Sequence, residues 1–367
     1  MPGYRTEKLN FYLSLQDIRV WGDVPQLNTS DNNGLSVHQA WGEILFNENF
    51  SLKLGRQEIA YDDQRIMGRV GWAQQARSHD AALLGFSDEK IRFDLGVAFN
   101  QDAENVVGTT LTTPNTYKSI QYAWLHKDWQ DFQASFLFLN NGIQFIDEID
   151  SGNNETRYSQ TIGSHLNYKL GPVELISNIY YQFGKDIANN DLSAYLLALE
   201  ASYKPTASWA LILGTEFQSG NDGGTPSNGD NNAFTPFYGT NHKFNGLMDY
   251  FYVGNHANTI GLWDLYAKGK LALNQKSDVT MALHNFASPS EIASNLSRQL
   301  GTELDLVYNY TLNKNIAFSG GYSQLFAAEG LETIKNNFDE NTNNWAWVIV
   351  TIKPTLFTHA NEQIAYG

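Results

Sequence analysis

The stretch Ile91-Arg92-Phe93-Asp94-Leu95-Gly96-Val97-Ala98-Phe99-Asn100 decides the fold. Its odd positions are apolar, whereas Arg92, Asp94, Gly96, Ala98 and Asn100 are charged, polar or small. Successive side chains of a β-strand point to opposite faces, so this is a strand with one apolar and one polar face. The same period recurs along the chain. Val173, Leu175, Ile179, Tyr181 and Phe183 oppose Glu174, Asn178, Tyr180 and Gln182. Trp263, Leu265, Ala267, Leu271 and Leu273 oppose Asp264, Tyr266, Lys268 and Lys270, and Leu304, Leu306, Tyr308 and Tyr310 oppose Glu303, Asp305, Val307 and Asn309.

Working outward, the alternation predicts sixteen strands: 9–21, 35–47, 50–61, 78–86, 90–100, 119–127, 132–140, 158–169, 173–184, 192–204, 209–219, 261–273, 277–286, 300–310, 316–326 and 344–355. Most have about double the length of a globular strand and lie near the ~9–11 residues that cross a bilayer at a tilt. Tight turns at Glu48-Asn49, Ser87-Asp88-Glu89, Asp128–Asp131, Leu170–Pro172, Pro205–Ser208, Asn274–Lys276 and Thr311–Asn315 alternate with longer loops at 22–34, 62–77, 101–118, 141–157, 185–191, 220–260, 287–299 and 327–343. Short and long never exchange places. That two-sidedness belongs to outer-membrane barrels, whose short turns face the periplasm and whose long loops face outward. A soluble sandwich or jelly roll has no reason to enforce it.

The predicted fold is all-β: one closed antiparallel transmembrane barrel over residues 1–357, with a C-terminal tail at 358–367. Arg92, Asp94, Asp264, Lys268, Lys270, Glu303 and Asp305 cannot all be buried dry, so their face lines water and the apolar face meets lipid. Trp21, Tyr61, Trp129, Trp209, Trp345 and Trp347, near strand ends, fit interfacial girdles. Loop 220–260 carries Phe234, Phe237, Tyr238, Phe244, Tyr250, Phe251 and Tyr252. It is too long and too aromatic for solvent coil and reads as an inward-folded constriction.

Composition closes other routes. No run approaches the ~18 apolar residues of a spanning helix, which says nothing against barrels. The chain has no cysteine, so disulfides and thiolate chemistry are excluded. A net charge of -15 disfavours nucleic acid. The eight histidines His38, His79, His126, His165, His242, His256, His284 and His359 show no metal-ligand spacing, no G-x-S-x-G elbow is present, and Ser164-His165 are strand neighbours facing opposite ways. The loop Ser219–Asp230 lacks the bidentate Glu of a Ca²⁺ loop. No catalytic residue, metal or cofactor is expected. The start Met1–Lys8 lacks the apolar core of a signal peptide, so an exported chain is expected to be a processed or trimmed form.

Several segments resemble the alginate-export family of outer-membrane barrels. The fullest is Leu52-Lys53-Leu54-Gly55-Arg56-Gln57-Glu58-Ile59-Ala60-Tyr61, continued by Asp62, Asp63, Gln64, Arg65 and Trp72 and ending in Gln75-Ala76-Arg77-Ser78-His79-Asp80. Gln16–Asp23, His242–Tyr250 and Trp347–Pro354 are similar to the family too. The resemblance implies eighteen strands around a charged pore, with a further pair ahead of Leu9, in the outer membrane of a Gram-negative bacterium. The expected function is a porin for passive passage of hydrophilic solutes, anionic and uronate-like or oligosaccharide ones among them. Lys53, Arg56, Arg65, Arg77, Arg92, Asp94, Asp264, Lys268, Lys270, Glu303 and Asp305 are its expected path, and lipid and lipopolysaccharide its surroundings. A plugged structural or partner-binding barrel is the alternative, and a barrel enzyme assembled across strands is a further one.

Overall fold

Turn chemistry sets the short connections. Asn47 Oδ1 accepts the amides of Asn49 and Phe50 at 2.9 and 2.8 Å, and Asp88 Oδ1 accepts those of Lys90 and Ile91 at 2.7 Å each. Asn274 and Asn313 do the same for Lys276, and for Asn315 and Ile316. An Asx side chain that bonds backbone two residues on reverses the chain within a few residues and fixes the register that follows.

The computed structural model describes residues 3–19, 34–73, 75–104, 106, 108–113, 116–256, 259–339 and 341–355. Its strands are β1 (Gly3–Arg5), β2 (Leu9–Gln16), β3 (Ser36–Leu45), β4 (Phe50–Gln57), β5 (His79–Ser87), β6 (Ile91–Phe99), β7 (Ser119–Asp128), β8 (Phe132–Phe145) and β9 (Glu155–Leu170). They continue as β10 (Val173–Lys185), β11 (Asp191–Tyr203), β12 (Trp209–Gln218), β13 (Asp230–Asn231), β14 (Leu262–Asn274), β15 (Ser277–Ala287), β16 (Gln299–Asn313), β17 (Ile316–Ala327) and β18 (Asn343–Ile352). Helices α1 (Val253–His256) and α2 (Glu329–Lys335) sit in long loops. Each strand pairs antiparallel with the next, from β1 through β12 and on through β14 to β18. Only the two-residue β13 departs, pairing parallel with β11 inside the long loop.

All sixteen expected strands are present. β1, paired with β2, lies ahead of Leu9, where the family pattern calls for more strand. Strands β8 and β9 run on past the expected boundaries, to Phe145 and from Glu155, which shortens the loop between them. Trp21 and the segment 358–367 lie outside the described residues.

The sheet wraps around its own loops. In the β12–β14 loop, Tyr238 bonds Asn141 of β8 and Thr235 bonds Gln182 of β10. Further along the same loop, Met248 bonds Glu303 of β16 and Tyr250 bonds Asn343 of β18. One loop touching β8, β10, β16 and β18 on a single face requires that face to be concave, as in a barrel. The opposite face keeps its apolar side chains exposed, Leu95 at 47% and Leu265 at 56% among them, as a surface made for lipid.

The inner face is less uniformly polar than alternation implies. Ile120, Leu137, Leu139 and Leu196 lie on it, buried against Ile59, Ile66, Met67, Phe234 and Tyr238 from the two inward loops. A second apolar cluster joins Phe251 and Ile260 of the β12–β14 loop to Phe286, Leu300 and Leu325 of the wall. Apolar loop side chains need apolar wall to bury against, at ~25 cal/mol per Å² removed from water.

Register gives a direct expectation. In Asp94→Cys the thiol reacts with a membrane-impermeant reagent, and in Leu95→Cys it is shielded by lipid, since a one-residue slip would exchange the two faces. Leu95→Arg costs about 2–4 kcal/mol in lipid-reconstituted unfolding if the site is at the bilayer midplane. Labelling at Leu95 but not at Asp94 would reverse the register.

Candidate functional site

Two loops meet inside the barrel, and the backbone shows how. Residues 64–68 of the β4–β5 loop run beside residues 238–240 of the β12–β14 loop, with a parallel bridge between Met67 and Tyr238. Gly68 N donates to Tyr238 O at 2.8 Å, Tyr238 N to Ile66 O at 3.1 Å and Thr240 N to Gln64 O at 2.9 Å. Gly239 is required at the crossing, because a Cβ there would stand 2.1 Å from Arg65 O. The two loops thus form one plug.

Arg65 locks the plug to the wall. Its guanidinium, 1% exposed, is paired with Glu216 of β12 and donates to Asn245 Oδ1 at 3.0 Å, with Phe244 stacked 4.6 Å away. Asn245 Nδ2 donates to Glu216 at 3.0 Å and to Asp264 at 3.3 Å, and Gln218 Nε2 adds a third donor to Glu216 at 2.8 Å. Asp264 is held in turn by His284 at 2.9 Å. Burying a charge this deeply is tolerable only when it is paired and hydrogen-bonded; Nη2 carries both bonds here, and Nε has no partner among the described residues. A second anchor is Glu303, which accepts the amide of Met248 at 2.9 Å, while Asp305 accepts from Ser323 at 2.5 Å. Gly246, at φ +83°, passes where a Cβ would lie 2.6 Å from the Glu303 carboxylate.

The tip of the β4–β5 loop is fixed by its own acids. Asp62 accepts hydrogen bonds from Ser135 and from Trp124 Nε1 (3.1 Å), and Asp63 accepts from Asn178 at 2.7 Å. Burial pushes the Asp62 carboxyl above its ordinary pKa, against those donors. Tyr61 donates to Asp94 at 2.8 Å, and burial with neighbouring Tyr122 and Asp94 raises its phenol well above the usual value.

The plug separates two cavities. Toward the short turns lies a chamber of about 780 Å³, reaching turn residues Asn49 and Ser87. Its walls carry the carboxylates Glu43, Glu58, Asp62, Asp63 and Asp94 against the cations Lys53 and Arg92. Lys53 sits 4.1 Å over the Trp41 ring and Arg92 5.4 Å from that of Trp124. Toward the long loops lies a cavity of about 690 Å³, lined by Arg77, His79, Tyr117, Phe145, Phe237 and Tyr238 among others.

The expected path residues therefore divide. Lys53, Arg92 and Asp94 meet in the chamber. Arg65 and Asp264 belong to the lock, and Glu303 and Asp305 to the second anchor. Lys268 stands 4.4 Å over Tyr266 beside a smaller cavity shared with Glu216 and Asp63, and Lys270 pairs with Asp278 at 3.4 Å. Arg77 reaches the outer cavity.

Arg56 is a correction. It pairs bidentately with Asp80 of β5 at 2.9 and 2.7 Å, half exposed, on the face of Leu54 and opposite to Lys53 and Gln57. Arg56, Arg65 and Arg77 have different partners, Asp80, Glu216 and Gly239 O, and do not act as one group along the expected path. Glu216 was not named from sequence, and Asn245 and His79 entered there only within family-like segments and the list of histidines, with no role; each looks like any other polar position until the loops fold onto it.

A meander with short turns at one end, long loops at the other and loops folded into a charged interior has the architecture of an outer-membrane porin. Pseudomonas aeruginosa OccK11 (OpdR) superposes with a TM-score of 0.61 over 96% of this chain and 87% of that one, at 12% identity. P. aeruginosa OccK5 (OpdH) gives 0.59 over 95% and 89%, also at 12% identity. P. aeruginosa OpdK, solved with vanillate, gives 0.60 over 95% and 89% at 10% identity. At such identity the likeness is one of fold. No curated protein sequence matches the chain. The Alginate export family matches residues 3–345, and the chain belongs to that family.

Proposed function

We propose that the protein is a passive channel for small hydrophilic solutes in the outer membrane of a Gram-negative bacterium, with lipid and lipopolysaccharide around it. The observation that carries this reading is the pair of cavities on either side of a plug built from two loops. A solute enters from the long loops, passes the plug, and leaves through the chamber at the short turns. The test is single-channel conductance of the purified protein in a planar bilayer. The apolar packing of the plug against the wall favours a second reading, a closed partner-binding barrel, and the absence of conductance would select it.

The chamber also bears on ion preference. Five lining carboxylates against two cations leave an acidic field, and charged walls of low dielectric concentrate counter-ions. The anionic solutes that the family resemblance implies find little support here, since Arg65 is neutralised by Glu216 and Arg56 lies on the opposite face from Lys53. In a salt gradient, the reversal potential is expected on the cation side and nearer zero in Glu43→Gln. Anion preference in the wild type would overturn this assignment of the field.

A further inference from the structure

Trp345 and Trp347 line the channel, although their place near a strand end fits the lipid-facing girdle. On β18 they share a side with Asn343, which accepts from Tyr250 of the β12–β14 loop, and the register sets them opposite Ser323 and Gly321 of β17. Ser323 donates to Asp305 at the second anchor, so this side faces inward. Val348 and Val350, on the other side, are 77% and 52% exposed. A row of rings results. Trp72 of the β4–β5 loop stacks on His242 at 3.4 Å between centroids and meets Trp345 at 5.9 Å, and Trp345 stands 6.0 Å from Trp347. Trp347 lies over Gly321, where a Cβ would stand 2.4 Å from the indole.

These rings stay wet. Phe234 and Phe251 are covered by the wall, but Trp72 is 41% exposed, and Trp345 and Trp347 are partly exposed. Beside them lie donors that the protein does not use. Among the described residues, Trp72 Nε1, Trp345 Nε1 and Asn343 Nδ2 have no hydrogen-bond partner. Asn343 also lines a cavity of about 510 Å³ at the outer mouth, with Tyr250, Glu332, Lys335, Asn337 and Asp339 among others. The charges of that cavity offer an anion little. Lys335 donates to Asn255 O at 2.9 Å and shares the space with two carboxylates, and below it His242 is paired with Asp249 at 2.9 Å.

A pyranose has the matching two-sidedness, with C–H groups on its faces and hydroxyls around its rim. Its faces stack on indoles, and its rim takes the free donors. We propose that Asn343, Trp345, Trp347 and Trp72 form a binding track for a neutral oligosaccharide, running from the outer mouth down the inner face of β18 to the plug. An open-chain polyol has the hydroxyls but no ring face to stack. A uronate oligomer brings its carboxylates beside Glu332 and Asp339, and like charges set together are costly. The track rests on the channel reading for its role in passage, but binding itself is measured without transport.

The experiment is equilibrium binding to the purified, detergent-solubilised barrel, with maltotriose, glucitol and trigalacturonate as probes. Maltotriose is expected to bind about tenfold or more tightly than either of the others, and Trp345→Leu to remove about that factor. Trp72→Ala, a change in a loop and not in the wall, is expected to weaken maltotriose too, which keeps the proposal testable if Trp345→Leu does not fold. Glucitol equal to maltotriose would leave hydroxyl bonding without stacking, and trigalacturonate equal or tighter would require a cation in the track. Either result overturns the proposal, as does maltotriose that fails to bind or binds unaltered in both variants. Maltotriose that blocks the bilayer current of the wild type but not of Trp345→Leu supports the site and the channel together. Maltotriose binding by a barrel that does not conduct keeps the site and removes the channel reading; conduction without maltotriose binding does the reverse.

Discussion

Deleting Asn221–Asn255 is expected to raise single-channel conductance severalfold. The strands on either side, β12 and β14, pair directly with each other from Trp209–Leu271 to Gln218–Leu262, so the wall does not need the loop. What is lost is half of the plug: the backbone ladder from 238–240 to the β4–β5 loop, the anchors at Glu303 and Asn343, and the apolar contacts of Phe234, Tyr238 and Phe251. The chamber and the outer cavity then become continuous. Ion preference should also weaken, because field effects fall with distance from the wall and an opened lumen is screened within about 8 Å at physiological salt. Unchanged conductance would place the loop outside the permeation path.

Arg65→Met is expected to be the most disruptive single substitution at the site. It strands Glu216, 5% exposed at its side chain, without its cation. Removing one partner of a buried ion pair costs about 3–5 kcal/mol. Because the pair joins plug to wall, the cost appears first as plug opening, and the open fraction rises by about two to four orders of magnitude. Recordings should show long open events or flicker, with a smaller change in denaturation of the barrel itself. The double variant Arg65→Met, Glu216→Leu should recover most of the loss, since replacing both charges with apolar groups of similar size is often neutral. Quiet wild-type traces from Arg65→Met would mean that the apolar contacts alone hold the plug.

The wall was legible in the sequence because its rule is local. Period-two alternation and an Asn or Asp at a tight turn specify strand and register within about ten residues. The same rule bears on Arg56. It stands three residues from Lys53, an odd separation, so alternation alone puts the two on opposite faces. Reading Arg56 into the pore followed the family motif instead of this parity. The plug follows no such rule. Arg65 meets Glu216 across 151 positions, and Asp63 meets Asn178 across 115. Nothing in the spacing of a loop announces a partner that far away, although the aromatic content of 220–260 did announce that the loop needed burial.

The ladder between residues 64–68 and 238–240 also orders events during assembly. Val70 and Thr240, bonded at 3.2 Å, are 170 positions apart. Hairpins such as β5–β6 close over a few residues, whereas this contact requires the intervening strands to be in place before its loop-closure entropy is repaid. Loop-closure entropy thus favours neighbouring hairpins forming before the plug seats, an order expected to show as an early protease sensitivity of the interior that disappears when Arg65 reaches Glu216.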